Sequence, residues 1–244
     1  MVLMVLATLL VGTTACNGNK EQNSQQKGQP EQQESTKQNI IRKRLSIPSE
    51  FGYITNLGSV DIIYTQGDFS VEAEGDSTTL SYLKTEFDSN LLTVSVSSDN
   101  NADFNRYGNT SNIKLYVSCP DLVCVSICGN GGFESVGTWS TDKLQFGCMG
   151  SGALKLDQVE CTDCDIQASD RGEIRMEKLQ ARNVSLFSYG TSDIDINFNT
   201  DTLVVLNEGK QHIRLRGQAQ KVVIKKPNDP NLTNELNVMP TVTK

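Results

Sequence analysis

From residue 123 onward, apolar and polar positions alternate with a period of two on both sides of a turn that returns about every twenty residues. Taking Gly129, Gly150, Asp170, Gly190 and Gly209 as equivalent, the intervals are 21, 20, 20 and 19 residues. Before the marker come apolar pairs: Val123 and Val125, Leu144 and Phe146, Cys164 and Ile166, Val184 and Leu186, Leu203 and Val205. Four residues after it come Phe133, Leu154, Ile174, Ile194 and Ile213, and six after it Ser135, Leu156, Met176, Ile196 and Leu215. Alternation marks strands with one buried face, and a fixed beat marks copies that stack at about 4.8 Å and bury that face against one another. The pattern predicts an all-β chain: a single-stranded β-solenoid, right-handed β-helix-like, of about five coils of roughly 20 residues behind an N-terminal β-rich cap.

The outward positions agree with this. Five residues after the marker lie Glu134, Lys155, Arg175, Asp195 and Arg214, a row in which opposite charges on neighbouring coils pair on a solvent face. Glycines at the corners supply a missing Cβ where coils approach closely. Phosphate-binding glycine loops run from a strand into a helix N-terminus, whereas these run into another alternating strand.

Between 45 and 118 the alternation persists and the beat is lost. Candidate strands are GYITNL, VDIIYT, FSVEAEG, LLTVSVS and NIKLYVS, parted by turns at Gln66-Gly67-Asp68, Asp88-Ser89-Asn90 and Arg106-Tyr107-Gly108-Asn109; SYLKTEF (81–87) is the one candidate helix. A stack of repeats needs its end closed, so this segment reads as a β cap continuous with coils spanning 119–225, or else as a separate sandwich. Residues 226–244 read as a polar tail.

The start of the chain has another character. Residues 1–15 form a short apolar run with the length of a signal peptide, and Thr13-Thr14-Ala15-Cys16 resembles a lipobox, which implies acylation of Cys16. The Leu usual three residues before the cysteine is absent, and no Lys or Arg precedes the apolar run. The segment 16–44 is rich in Gln, Asn, Lys, Glu and Ser, a composition that makes a flexible tether. Lys20-Glu21 partly resembles the signal that sends lipoproteins to the cell exterior. These features place the protein at the outer membrane, anchored by lipid, at the cell surface or on the periplasmic side. The net charge is −7, and no basic run interleaves with aromatics, which argues against nucleic-acid binding.

The order of lipobox, polar tether, VDIIYTQGDFSVEAEGD, LLTVSV, IKLYVSCPDL and Gly-x-Gly coils resembles the putative auto-transporter adhesin, head GIN domain family of Bacteroidetes. The third and fourth turns depart from its Gly-x-Gly pattern, reading Asp170-Arg171-Gly172 and Gly190-Thr191-Ser192. The resemblance implies an all-β envelope protein, adhesin-like, with no catalytic residues to assign.

Candidate chemistry adds little. Cys161-Thr-Asp-Cys164 has neither the second pair of a zinc ribbon nor the βαβ setting of a redox motif, so no metal or cofactor is expected. Six cysteines beyond Cys16 in an extracytoplasmic protein predict at most one or two disulfides. His212 falls on an outward row and Asp193 and Asp195 on one strand face, without a nucleophile context around them. Phe187 and Tyr189, by contrast, point outward near Met149 and Leu206, an apolar patch that is either open to a partner or covered by the cap or tail. The sequence therefore predicts a non-catalytic lipoprotein that binds glycan, matrix or an envelope protein through a broad face. A periplasmic structural or envelope-stress accessory protein is the rival, and a polysaccharide-processing enzyme a third reading by analogy of fold.

Overall fold

The structure, a computed structural model, describes residues 39–97 and 112–237. The expected signal peptide, Cys16, nearly all of the tether, the turn at 106–109 and the last residues of the tail lie outside them.

The regular coils form as the alternation dictates. Strands β8 (Cys124–Ile127) and β9 (Phe133–Ser140) make one rung, and β10 (Lys143–Cys148) opens the next. Four long strands follow: β11 (Ala153–Ala168), β12 (Glu173–Ser188), β13 (Asp193–Asn207) and β14 (His212–Ile224). The alternation breaks twice along them, in β12 at Glu177-Lys178 and again at Arg182-Asn183, so the first residues of each strand lie on one face of the stack, here the leading face, and the last on another, the trailing face. All these strands pair in parallel and in register, Phe133 opposite Leu154, then Ile174, Ile194 and Ile213. On the trailing face Val125 stands beside Phe146, then Ile166, Leu186 and Val205. These rows are buried and merge into one apolar core. Val123 is a correction. It is half-buried because β8 begins at Cys124, and Leu122 enters the core in its place.

The stack does not begin where the beat begins. Strands β2 (Tyr53–Asn56) and β3 (Asp61–Thr65) pair in parallel with β8 and β9, Ile54 opposite Val125 and Ile62 opposite Phe133. Residues 53–65 are thus a coil of the same kind, and a Cβ on Gly129 would meet the Gly58 carbonyl oxygen at 2.2 Å. Beyond it lies a rung made by β6 (Leu91–Val96) and β7 (Lys114–Ser118), parallel to β2 and β3 respectively. Spatial order therefore departs from chain order, since a rung late in sequence sits outside an earlier one. The segment 45–118 supplies rungs as well as a cap.

The cap itself is antiparallel. Strand β4 (Ser70–Asp76) pairs with β7, β1 (Ile40–Arg44) with β4, and β5 (Leu83–Asp88) with β6. The helix expected over 81–87 is instead β5. LKTEFD alternates in burial, and Ser89 and Asn90, with φ of 46° and 82°, close a tight hairpin onto β6. Among the described residues the one helix, the short α1 (Ser77–Ser81), precedes it, and the Asp76 carboxylate accepts the Thr78 and Thr79 N–H groups at 2.9 and 3.0 Å. At the other end part of the expected tail forms a strand. Strand β15 (Leu232–Leu236) pairs in parallel with β14, placing Leu232 opposite Ile213. The Asn207 amide reaches across to the Asp229 carboxylate at 3.1 Å and closes the loop that leads there.

Aromatics fill the widest part of the core. Tyr64, Phe133, Trp139 and Phe146 form a chain of ring contacts with centroids 4.6 to 6.0 Å apart. Their polar ends are satisfied, the Tyr64 hydroxyl donating to the Cys119 carbonyl at 2.8 Å and the Trp139 indole to that of Leu122 at 3.1 Å.

Three substitutions test this packing by thermal unfolding followed with circular dichroism. Ile174→Asp places an unpaired charge at a fully buried position and abolishes the cooperative transition, whereas Lys178→Asp, exposed two strand positions past Met176, leaves it in place. Gly150→Ala lowers the midpoint as well, because its Cβ would stand 2.1 Å from the Gly129 carbonyl oxygen.

Candidate functional site

On the leading face the outward residues make an ion-pair network. The row Glu134, Lys155, Arg175, Asp195, Arg214 is in register as the alternation requires. Asp195 is its hub, with Arg216 at 2.6 Å and Arg175 and Arg214 each at 3.9 Å. Arg214 also holds Glu235 of β15 at 2.9 Å, and Arg175 pairs with Glu173. The carboxylates of Asp193 and Asp195 are thus engaged by arginines rather than facing each other as an acid pair. His212 lies exposed in the same register row as Asp193. Exposed pairs of this kind contribute little each, and the network mainly penalises strands out of register.

The trailing face is different. At the edge where each strand enters the turn, one outward row carries Leu57, Cys128, Met149, Ser169, Tyr189 and Glu208. Each residue's N–H donates to a carbonyl of the neighbouring rung at 2.7 to 2.9 Å, which holds the row straight along the stack. Leu57, Met149 and Tyr189 are 52%, 47% and 50% exposed, and Cys128 is exposed too. The row behind it pairs Phe187 with Leu206, both half-buried. Behind that, Val204 stands beside Val223, also half-buried and outward. An apolar stripe therefore runs from Leu57 to Tyr189 across four rung spacings, about 19 Å, and widens at Phe187, Leu206, Val204 and Val223.

Of the residues singled out from sequence, Phe187, Leu206 and Tyr189 come together. Met149 lies two rungs from Tyr189, with Ser169 between them. The cap does not cover this surface: β6, β2, β8, β10 and β11 separate β5 from the Phe187 rung, some 29 Å at strand spacing. Leu57 escaped notice because the 58 residues between the end of β3 at Thr65 and the start of β8 at Cys124 break the beat. Val204 and Val223 carried a signal, since LVVL and VVI are apolar on both alternating faces.

Half of the described cysteines belong to the core. All six described are free thiols, so the one or two bridges expected are not formed among them. Cys119, Cys148 and Cys164 are buried. Burial pushes the Cys148 thiol up to about 11 and raises that of Cys119, whose sulfur donates to the Phe51 carbonyl at 3.1 Å. Cys161 and Cys164 share a hydrogen bond, which lowers the first thiol and, together with burial, raises the second. Among the described residues no group of three or more His, Cys, Asp or Glu converges as a metal site would need, and no helix is long and apolar enough to cross a membrane.

Residues 50–177 match the family described as putative auto-transporter adhesin, head GIN domain. The chain belongs to this family. The match runs from the cap through the first regular coils, and the remaining coils repeat the same unit. Solved structures share the fold. A putative adhesin from Bacteroides fragilis is 20% identical, with a TM-score of 0.64 over 83% of this chain and 95% of that one. A putative adhesin from Parabacteroides merdae is 16% identical, with a TM-score of 0.51 over 84% and 94%. A protein of Parabacteroides distasonis described as a putative lipid binding protein is 15% identical, with a TM-score of 0.50 over 84% and 97%. No curated protein matches the chain. The family's description names a putative adhesin head and no reaction.

The thiol environments predict an order of labelling. In the folded chain carrying Cys16→Ser, iodoacetamide modifies Cys128 first, while Cys119, Cys148 and Cys164 react only after denaturation. Peptide mass spectrometry without reductant then finds all six alkylated, and any peptide that needs reductant would contradict the free thiols.

Proposed function

We propose that this GIN-domain chain is a non-catalytic envelope lipoprotein that presents its solenoid as an adhesin-like binding module at the cell surface. The observation that carries the reading is the apolar stripe on the trailing face. Large exposed apolar patches on soluble proteins often mark a site that meets a partner, and here Tyr189, Phe187 and Leu206 come together on the outer side of the sheet, with Met149 exposed two rungs away. A solenoid suits such a role because it repeats weak contacts along a rigid axis. The partner is an envelope protein, matrix component or glycan with an apolar face, and Tyr189 brings both a ring to stack and a hydroxyl to bond. Acylated Cys16 anchors the chain in the outer membrane, and the polar segment to residue 38 holds the solenoid clear of the bilayer.

Two measurements test this. Phe187→Ala with Tyr189→Ala abolishes adherence of expressing cells to matrix- and glycan-coated surfaces and leaves the unfolding midpoint within a few degrees of wild type; a large fall in midpoint identifies the stripe as packing. A non-permeant protease added to intact cells digests the protein, with a periplasmic protein as control. Protection until lysis contradicts the surface reading and favours an internal structural role.

A further inference from the structure

The bends that join the leading and trailing faces create a second surface, on the side of the stack away from the turns. Cys161, Ala181, Thr200 and Ala219 fall in one register row there. Ala181, Thr200 and Ala219 are buried, and all four side chains are small. Long polar side chains rise on both sides of this floor. Gln180, Asn199 and Gln218 form one wall, in register with one another, and Arg182, Asp201 and Gln220 the other. A short row between two long ones leaves a trough of about 450 Å³. It crosses four rungs, about 14 Å at strand spacing.

Between the last two rungs the walls are pre-ordered. The Gln218 amide donates to Asn199 Oδ1 at 3.0 Å, and the Gln220 amide to Asp201 Oδ1 at 2.8 Å. A carboxamide that gives one N–H to its neighbour keeps a second N–H and a lone pair for a ligand, so donors and acceptors recur at every rung. The charges are mixed: Arg182 is positive, Asp201 and the nearby Glu160 negative. Neither a polyanion nor a polycation is favoured by them. The floor backbone already serves the ladder between rungs, so an extended peptide finds no main-chain partners in the trough. A sugar chain fits better, because each ring has a C–H face for the floor of small side chains and hydroxyl edges for the polar walls.

We propose that this trough binds a neutral linear glycan laid along the solenoid axis. The site is separate from the apolar stripe and does not depend on it. The test titrates the full chain carrying Cys16→Ser, by calorimetry, with neutral oligosaccharides from disaccharide to hexasaccharide: β-1,4-linked glucan, mannan and xylan, and α-1,4-glucan. At least one series binds, with affinity rising with length until the trough is filled. Removing three polar partners in the exposed triple variant Gln180→Ala, Asn199→Ala, Gln218→Ala weakens it about tenfold or more. The variant Phe187→Ala, Tyr189→Ala binds the same oligosaccharide unchanged, so loss of cell adherence in that variant speaks only to the stripe. The proposal is overturned if no series binds at millimolar concentration, if affinity does not depend on length, if the triple variant binds like wild type, or if a charged oligosaccharide or an extended peptide is preferred.

Discussion

Register between parallel rungs is the constraint on which everything else in this molecule rests. Each strand shows one face to the core and one to solvent, so a slip of a single residue would turn Ile174 and Met176 outward and bring Glu173 and Arg175 in. The apolar rows resist this from inside and the Arg175, Asp195, Arg214 network from outside. The turns add a third lock. Gly150 sits so close to the Gly129 carbonyl that no side chain fits there, and at the next rungs Asp170 and Gly190 reach the same path with φ of 72° and 90°. Because the rungs cannot slide, any side chain placed outward on several successive coils becomes a straight row. The ion-pair network, the apolar stripe and the polar trough are three such rows.

The parts of the fold that sequence revealed are those with local periodicity. Leu154, Ile174, Ile194 and Ile213 recur at nearly constant spacing, and the structure stacks them as the spacing implies. The coil at 53–65 obeys the same rules, yet its marker Gly58 lies 71 residues from Gly129, and no search for a twenty-residue period joins them. Leu83–Asp88 was legible as regular structure but not as strand, because only the left-handed pair Ser89 and Asn90 decides that it folds back on β6. The tail misled through composition, since Lys225-Lys226-Pro227 reads as an ending when it is the corner before another half coil.

The candidate surface was legible in proportion to how abruptly it broke the alternation. Phe187 and Tyr189 stand out because large rings occupy positions where other coils carry Gln167 and Ser169. Leu57 and Met149 are single apolar residues near a turn, unremarkable until the rungs are laid side by side. The trough left almost no trace in the sequence. Its floor of Cys161, Ala181, Thr200 and Ala219 is chemically mixed, and what unites those residues is small size in one register row, which no local periodicity marks.

The out-of-order rung also bears on how the chain acquires its structure. Strands β2 and β3 are made before all of their partners but lie between β6 and β7 on one side and β8 and β9 on the other, so neither of their edges is satisfied until residues 91 to 140 have joined them. The later coils need no such wait, since each lands on one already complete. Closing the long excursion from 65 to 114 carries an entropic cost that the short hops between later coils avoid. A chain emerging from its N-terminus would hold its first coil open until the sandwich closes, then zip the remainder toward the C-terminus, so that the oldest part of the polypeptide becomes the last prerequisite for the youngest to begin.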